Sequence, residues 1–179
     1  MRGRLVAIAA AGCVLAALLP ASAGAYVVGG KPWPATTITY YVAAKAYAGP
    51  VNRAARIWNR ADVGVEFSRA SRSQADVVVA YGGPRCAGYS PVGFGGWDES
   101  TVSRLGAGCS KAFITLTAVH ELGHVLGLDH EYRKCARMNW TFSKTGTPVR
   151  CRQGHSLSYW LEHPLEPDDI RGARALYQS

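Results

Sequence analysis

Beyond Leu19 the chain has no uninterrupted apolar run approaching the ~18 residues that a membrane-spanning helix needs, so no membrane span is expected. It has no close Cys-x-x-Cys pair, which argues against a tetrahedral thiolate zinc site. Internal repeats are missing, which excludes a solenoid or propeller, and no tract has the composition of a disordered segment. Acidic residues are scarce: 12 against 20 Lys and Arg, for a formal net charge of +8. The basic residues are scattered, however. The one set that shares a helical face, Arg53, Arg56 and Arg60, reads as a solvated surface, so no nucleic-acid partner is expected. With 179 residues there is room for one domain of ordinary size.

What is present first concerns export. Arg2 and Arg4 form a basic start, Leu5 to Leu19 is apolar, and Ala21-Ser22-Ala23-Gly24-Ala25 offers small-residue cleavage points after Ala23 or Ala25. This is the pattern of a secretory signal peptide over residues 1–25. Its removal leaves 26–179 as the mature domain, with 18 basic residues against 12 acidic, and an extracellular location. Cys13 falls inside the leader, where apolar sequence continues past it. The remaining four, Cys86, Cys109, Cys135 and Cys151, are an even number in an exported chain and predict two disulfides. Three pairings are open. The nearest-neighbour one, Cys86 with Cys109 and Cys135 with Cys151, closes loops worth about 3 kcal/mol each.

Thr37 to Val42 is β-branched and aromatic and reads as a strand. After Gly49-Pro50 the period changes: Val51, Ala54, Ala55, Trp58 and Ala61 share one side of a helix that ends before Gly64. Val65-Glu66-Phe67 and Val77 to Ala80 read as further strands, the second buried. Gly82 to Gly108 is glycine-rich and reads as a long loop holding at most one edge strand. Ala112 to Leu116 fits either a strand or the lead-in to a helix.

The chemistry lies in Val119-His120-Glu121-Leu122-Gly123-His124-Val125-Leu126-Gly127-Leu128-Asp129-His130. On a helix His120 and His124 stand one turn apart on the same side, so both imidazoles reach one Zn²⁺. Val119, Leu122 and Leu126 would bury the opposite side. A continuing helix could not bring His130 to the same ion; Gly127 permits the sharp turn that can, because positive φ costs glycine little. Three nitrogen ligands leave a fourth position for water, the mark of a catalytic zinc. Glu121 is placed to move that water's proton.

Three of the five histidines fall within eleven residues in the order His-Glu-x-x-His-x-x-Gly-x-x-His, which is specific for metzincins. The chain resembles the metzincin metallopeptidases, most closely the matrixins. Met138, eight residues after His130, matches the matrixin spacing for the Met-turn. Leu165 to Tyr177, with Asp168-Asp169, is similar to the matrixin C-terminal helix. Trp33, the helix carrying Trp58 and the Ala75 to Val78 segment look like the early elements.

The resemblance implies an α+β fold, with a twisted mixed five-stranded sheet, two long helices and a C-terminal helix. It implies a zinc endopeptidase with His120, His124 and His130 on one catalytic ion, Glu121 as general base and Met138 beneath. A protein or peptide substrate would bind extended along an edge strand. Asp168 and Asp169 would brace the Met-turn and the mature N-terminus. A monomer is expected.

The chain departs from matrixins in several places. No propeptide or cysteine switch follows the leader, His155 and His163 do not reproduce a second zinc site, and no loop supports Ca²⁺. Asn139-Trp140-Thr141-Phe142 replaces the usual Tyr-Pro after the methionine, so the specificity pocket is not inferred. Glu131 directly after His130 is shared with astacins, but Met138 follows too closely for that branch and no ligand tyrosine follows it. The competing readings are a zinc-bearing binding or toxin-like module with a vestigial site, and a zinc amidase acting on cell-wall peptides.

Overall fold

The computed structural model describes residues 26–95, 101–106 and 108–178. The leader and the Gly96-Trp97 centre of the glycine-rich loop lie outside the described residues. Five strands form one sheet: β1 (Thr37–Val42), β2 (Glu66–Arg69), β3 (Val77–Tyr81), β4 (Gly88–Tyr89) and β5 (Thr101–Leu105). Among the described residues four α-helices accompany it: α1 (Ala48–Arg60), α2 (Lys111–Leu126), α3 (Leu157–Glu162) and α4 (Pro167–Tyr177). The spatial order is β2-β1-β3-β5-β4. The first four in that order are mutually parallel, and β4 runs antiparallel to β5 at the edge. This is the mixed five-stranded α+β architecture expected from the sequence.

One expectation is revised, and one left open is decided. The glycine-rich stretch supplies two strands, β4 and β5, and β5 lies inside the sheet rather than at its edge. Its strand signal is local and short, whereas its pairing partners β3 and β4 are set by the tertiary fold. Ala112 to Leu116 belongs to α2, which begins when the Ser110 hydroxyl accepts the Phe113 N–H at 3.2 Å.

α1 is strongly amphipathic and buries Val51, Ala54, Ala55 and Trp58 against α2. α2 is different. Rather than an apolar back and a polar front, it is buried on every face from Ile114 to Leu126, its histidines and glutamate included. The Trp58 indole locks the two helices together by donating to the Val119 carbonyl at 2.8 Å in the core. That bond withdraws Val119 from the helix's own ladder only in part, since a carbonyl oxygen accepts twice.

The carbonyls at the end of α2 would otherwise be orphaned. Here Trp33 Nε1 donates to Val125 O at 2.7 Å, the Tyr177 hydroxyl to Leu126 O at 2.7 Å, and the Gly29 and Gly30 amides to Gly127 O. The segment from Gly29 to Trp33 and helix α4 thus meet at the exit of α2. Cys86 pairs with Cys109 and Cys135 with Cys151, the nearest-neighbour arrangement. No helix among the described residues is long and apolar enough to cross a membrane.

Candidate active site and metal centre

Gly127 closes α2 at φ +107°, in the left-handed region, and the chain reverses through Leu128 and Asp129. The reversal places His130 Nε2 3.3 Å from His120 Nε2 and 3.2 Å from His124 Nε2. An ion held tetrahedrally at about 2.0–2.1 Å from each nitrogen requires the nitrogens to be about 3.3–3.4 Å apart, so the three rings match the spacing zinc demands.

The other ring nitrogens fix the tautomers. His120 Nδ1 lies 2.8 Å from Arg137 O, and His124 Nδ1 lies 2.8 Å from Leu128 O. A carbonyl only accepts, so each Nδ1 carries the proton and each Nε2 turns a lone pair toward the centre. Burial holds His120 well below the ordinary histidine range, reinforced by neighbouring His124. Burial also lowers His124 and His130. Neutral imidazoles are what a metal needs.

Glu121 is 3% exposed, and burial pushes its carboxyl up to about 8, partly offset by the Ser90 hydroxyl. Ser90 follows β4 directly, and its Oγ lies 2.7 Å from Ser103 Oγ on β5. Gly88 on β4 lies flush against the carboxylate: a Cβ there would collide with Glu121 Oε1. A side chain at that point would require the Glu121 carboxylate or the edge strand to move. The cleft has a volume of about 430 Å³, and its opposite wall is Trp140, Thr141 and Phe142. Phe142 sets its ring edge-on to His120 at 5.3 Å.

Met138 is buried against Gly123, where any Cβ would strike its sulfur. Its amide donates to Asp169 Oδ1 at 3.0 Å, and the neighbouring Arg137 amide to Asp169 Oδ2 at 2.8 Å. Asp169 also takes the Glu166 amide, closing a capping box at the start of α4. The carboxylate therefore serves α4 and the methionine turn together. Asp168 pairs with Arg171 at 2.9 Å. His155 and His163 lie on either side of Tyr159, at 3.8 and 4.4 Å between ring centres.

Glu131 is 1% exposed, and its carboxylate accepts the Arg133 and Lys134 amides. Asn139 bridges the same loop, donating to Glu131 O and Lys134 O. The residue after the third histidine is thus an internal tie of the loop leading to Met138.

The family model for astacin peptidases matches residues 28–143, from the first described segment through the wall of the cleft. The chain belongs to the astacin family. Astacins are metzincin-clade zinc metallopeptidases, so the class expected from the motif stands, while the branch expected, matrixin, is not the one whose model matches. The astacin-type residue in the sequence is Glu131, which the fold buries and ties into the loop after the third histidine. No curated protein matches this astacin-family chain.

The sequence brings to notice the three histidines, Glu121 and Met138, and the structure gathers all five. It gives no warning of Gly88, Ser90, or the Arg137 and Leu128 carbonyls. A carbonyl is present at every residue, so its use leaves no mark on sequence.

Proposed function

We propose that the chain is a secreted zinc endopeptidase, with residues 1–25 as a leader removed on export and 26–179 as the catalytic domain. The observation that carries this reading is the convergence of three imidazole Nε2 atoms within 3.2–3.3 Å beside a buried carboxyl. His120, His124 and His130 hold one Zn²⁺, with Met138 beneath them. The ion, when bound, polarises a peptide carbonyl and acidifies water.

The protein's own groups do the rest. Arg137 O and Leu128 O aim two imidazoles. Glu121 takes the proton of the attacking water on a carboxylate oxygen and delivers it to the leaving amine nitrogen. The outer edge of β4, unpaired among the described residues, pairs with an extended substrate, and Phe142 and Trp140 wall the opposite side. Two disulfides support an oxidising, extracellular location. The short spacing to Met138 and the helix over Pro167–Tyr177 are matrixin-like features on an astacin-family chain.

The test is casein or gelatin digestion with and without phenanthroline, on the wild type and Glu121→Gln. Chelator-sensitive cleavage is expected, with loss of about 10²–10⁴-fold in the variant at unchanged zinc content. Undiminished cleavage by the variant removes Glu121 from the mechanism. Inactivity of the wild type on all peptides favours a zinc-bearing binding module, and digestion of peptidoglycan alone favours the amidase.

A further inference from the structure

Away from the cleft, α1 and the stretch from α3 toward α4 enclose a second cavity of about 600 Å³. Arg53, Arg56 and Arg60 line it from one face of α1, facing Leu161 and Leu165, with Ile57 between. Spacings of three and four residues put the guanidinium groups in a row along ~10 Å of helix. All three arginines are exposed, whereas the three apolar residues are half-buried and form the floor.

Arg53 commits one N–H to Leu161 O at 3.2 Å, which ties the two walls together. Arg56 and Arg60 form no hydrogen bond or ion pair with any described residue, and Glu162 is the one acid on the wall. Fixed positive charge in a concavity with low-dielectric walls concentrates the field within it.

We propose that this groove docks acidic segments of a protein substrate that also carry aliphatic side chains, at a distance from the bond to be cut. Carboxylates match the planar fork of each guanidinium, and leucine-sized side chains rest on Ile57, Leu161 and Leu165. Other occupants fit less well. The groove's one aromatic lining residue, His163, is already stacked on Tyr159, and no Tyr, Trp or Phe lines the groove as a platform for a nucleic-acid base. Its apolar residues are recessed rather than protruding, the opposite of what insertion into a lipid surface requires. A second copy of this chain carries the same positive surplus. The inference rests on the peptidase reading only in taking the docked segment to be part of a substrate.

The test uses the full mature chain carrying Glu121→Gln, so that peptide is not consumed, and a fluorescein-labelled peptide alternating Glu with Leu. Fluorescence anisotropy is expected to show saturable binding that weakens with salt. Arg56→Gln/Arg60→Gln should weaken it at least about tenfold, a loss of about 1.4 kcal/mol, with the thermal midpoint unchanged. A Gln-for-Glu version of the peptide should not bind. In the active chain the same double substitution should raise KM for casein, an acidic protein, and leave kcat/KM for a short neutral peptide unchanged. The proposal falls if the acidic peptide does not bind or binds the double variant equally well. It falls too if anionic vesicles or a single-stranded oligonucleotide bind through these arginines and the peptide does not. Peptide binding without any proteolysis would sink the peptidase reading and uphold the groove.

Discussion

His120 is held by Arg137 through the main chain: its Nδ1 donates to the Arg137 carbonyl oxygen at 2.8 Å, while the Arg137 amide donates to Asp169 at 2.8 Å. The peptide units on either side of one buried residue thus connect the first of the three clustered histidines to the start of α4. The guanidinium serves the same junction, donating to Pro164 O and Gly146 O and lying over Phe142 and Trp160.

Asp169→Asn should expose this dependence. An amide has one acceptor oxygen and would set an NH₂ against at least one of the three amides that the carboxylate now accepts. The expected loss is about 1–3 kcal/mol in urea unfolding. A weakening of zinc affinity by about 10–100-fold should accompany it in a chelator competition, because the turn that aims His120 loosens.

Asp169 also gives stability a defined pH dependence. Burial pushes its carboxyl up to about 6 from 3.8, against the pull of three amides and the Arg137 charge. Between those values the native state holds a proton that the unfolded chain has released, so this contribution is fully present below about pH 4 and is lost as pH rises through 6. Denaturant titrations of metal-free protein should therefore show the wild-type advantage over Asp169→Asn shrinking from pH 4 to 7. A constant or widening advantage would place the proton elsewhere.

Gly88→Ala should cut proteolysis severely and leave zinc content intact. The added methyl group meets the Glu121 carboxylate, which must shift or push β4 away. Gly49→Ala is the control: a Cβ there meets nothing within 4 Å, so activity should hold and stability change by no more than about 1 kcal/mol. Zinc analysis and casein digestion on the two variants separate the outcomes.

His130→Ala should abolish stoichiometric zinc binding by elemental analysis. The loss should exceed the roughly 10–100-fold that removing an outer partner costs. His130 is half-buried, so the metal-free variant should unfold close to the metal-free wild type. Stoichiometric zinc in that variant would refute the three-histidine site.

The histidines proposed as metal ligands were legible in the sequence because their logic is local. One helical turn separates His120 from His124, a left-handed glycine follows, and His130 comes three residues later, so the chemistry is written within eleven positions. The strands of β1 and β3 and the buried face of α1 were legible for the same reason, each having a period of its own. What the tertiary structure alone decided is pairing and support. It inserted β5 between β3 and β4, brought Gly88 and Ser90 up to Glu121, and chose the carbonyls of Arg137 and Leu128 to orient the rings. It also buried Glu131, the residue shared with astacins, and gave its carboxylate two amides of its own loop. The physical reason is common to all of these. A backbone group or a missing side chain takes its role from what the fold sets opposite it, and no pattern in the chain records that neighbour.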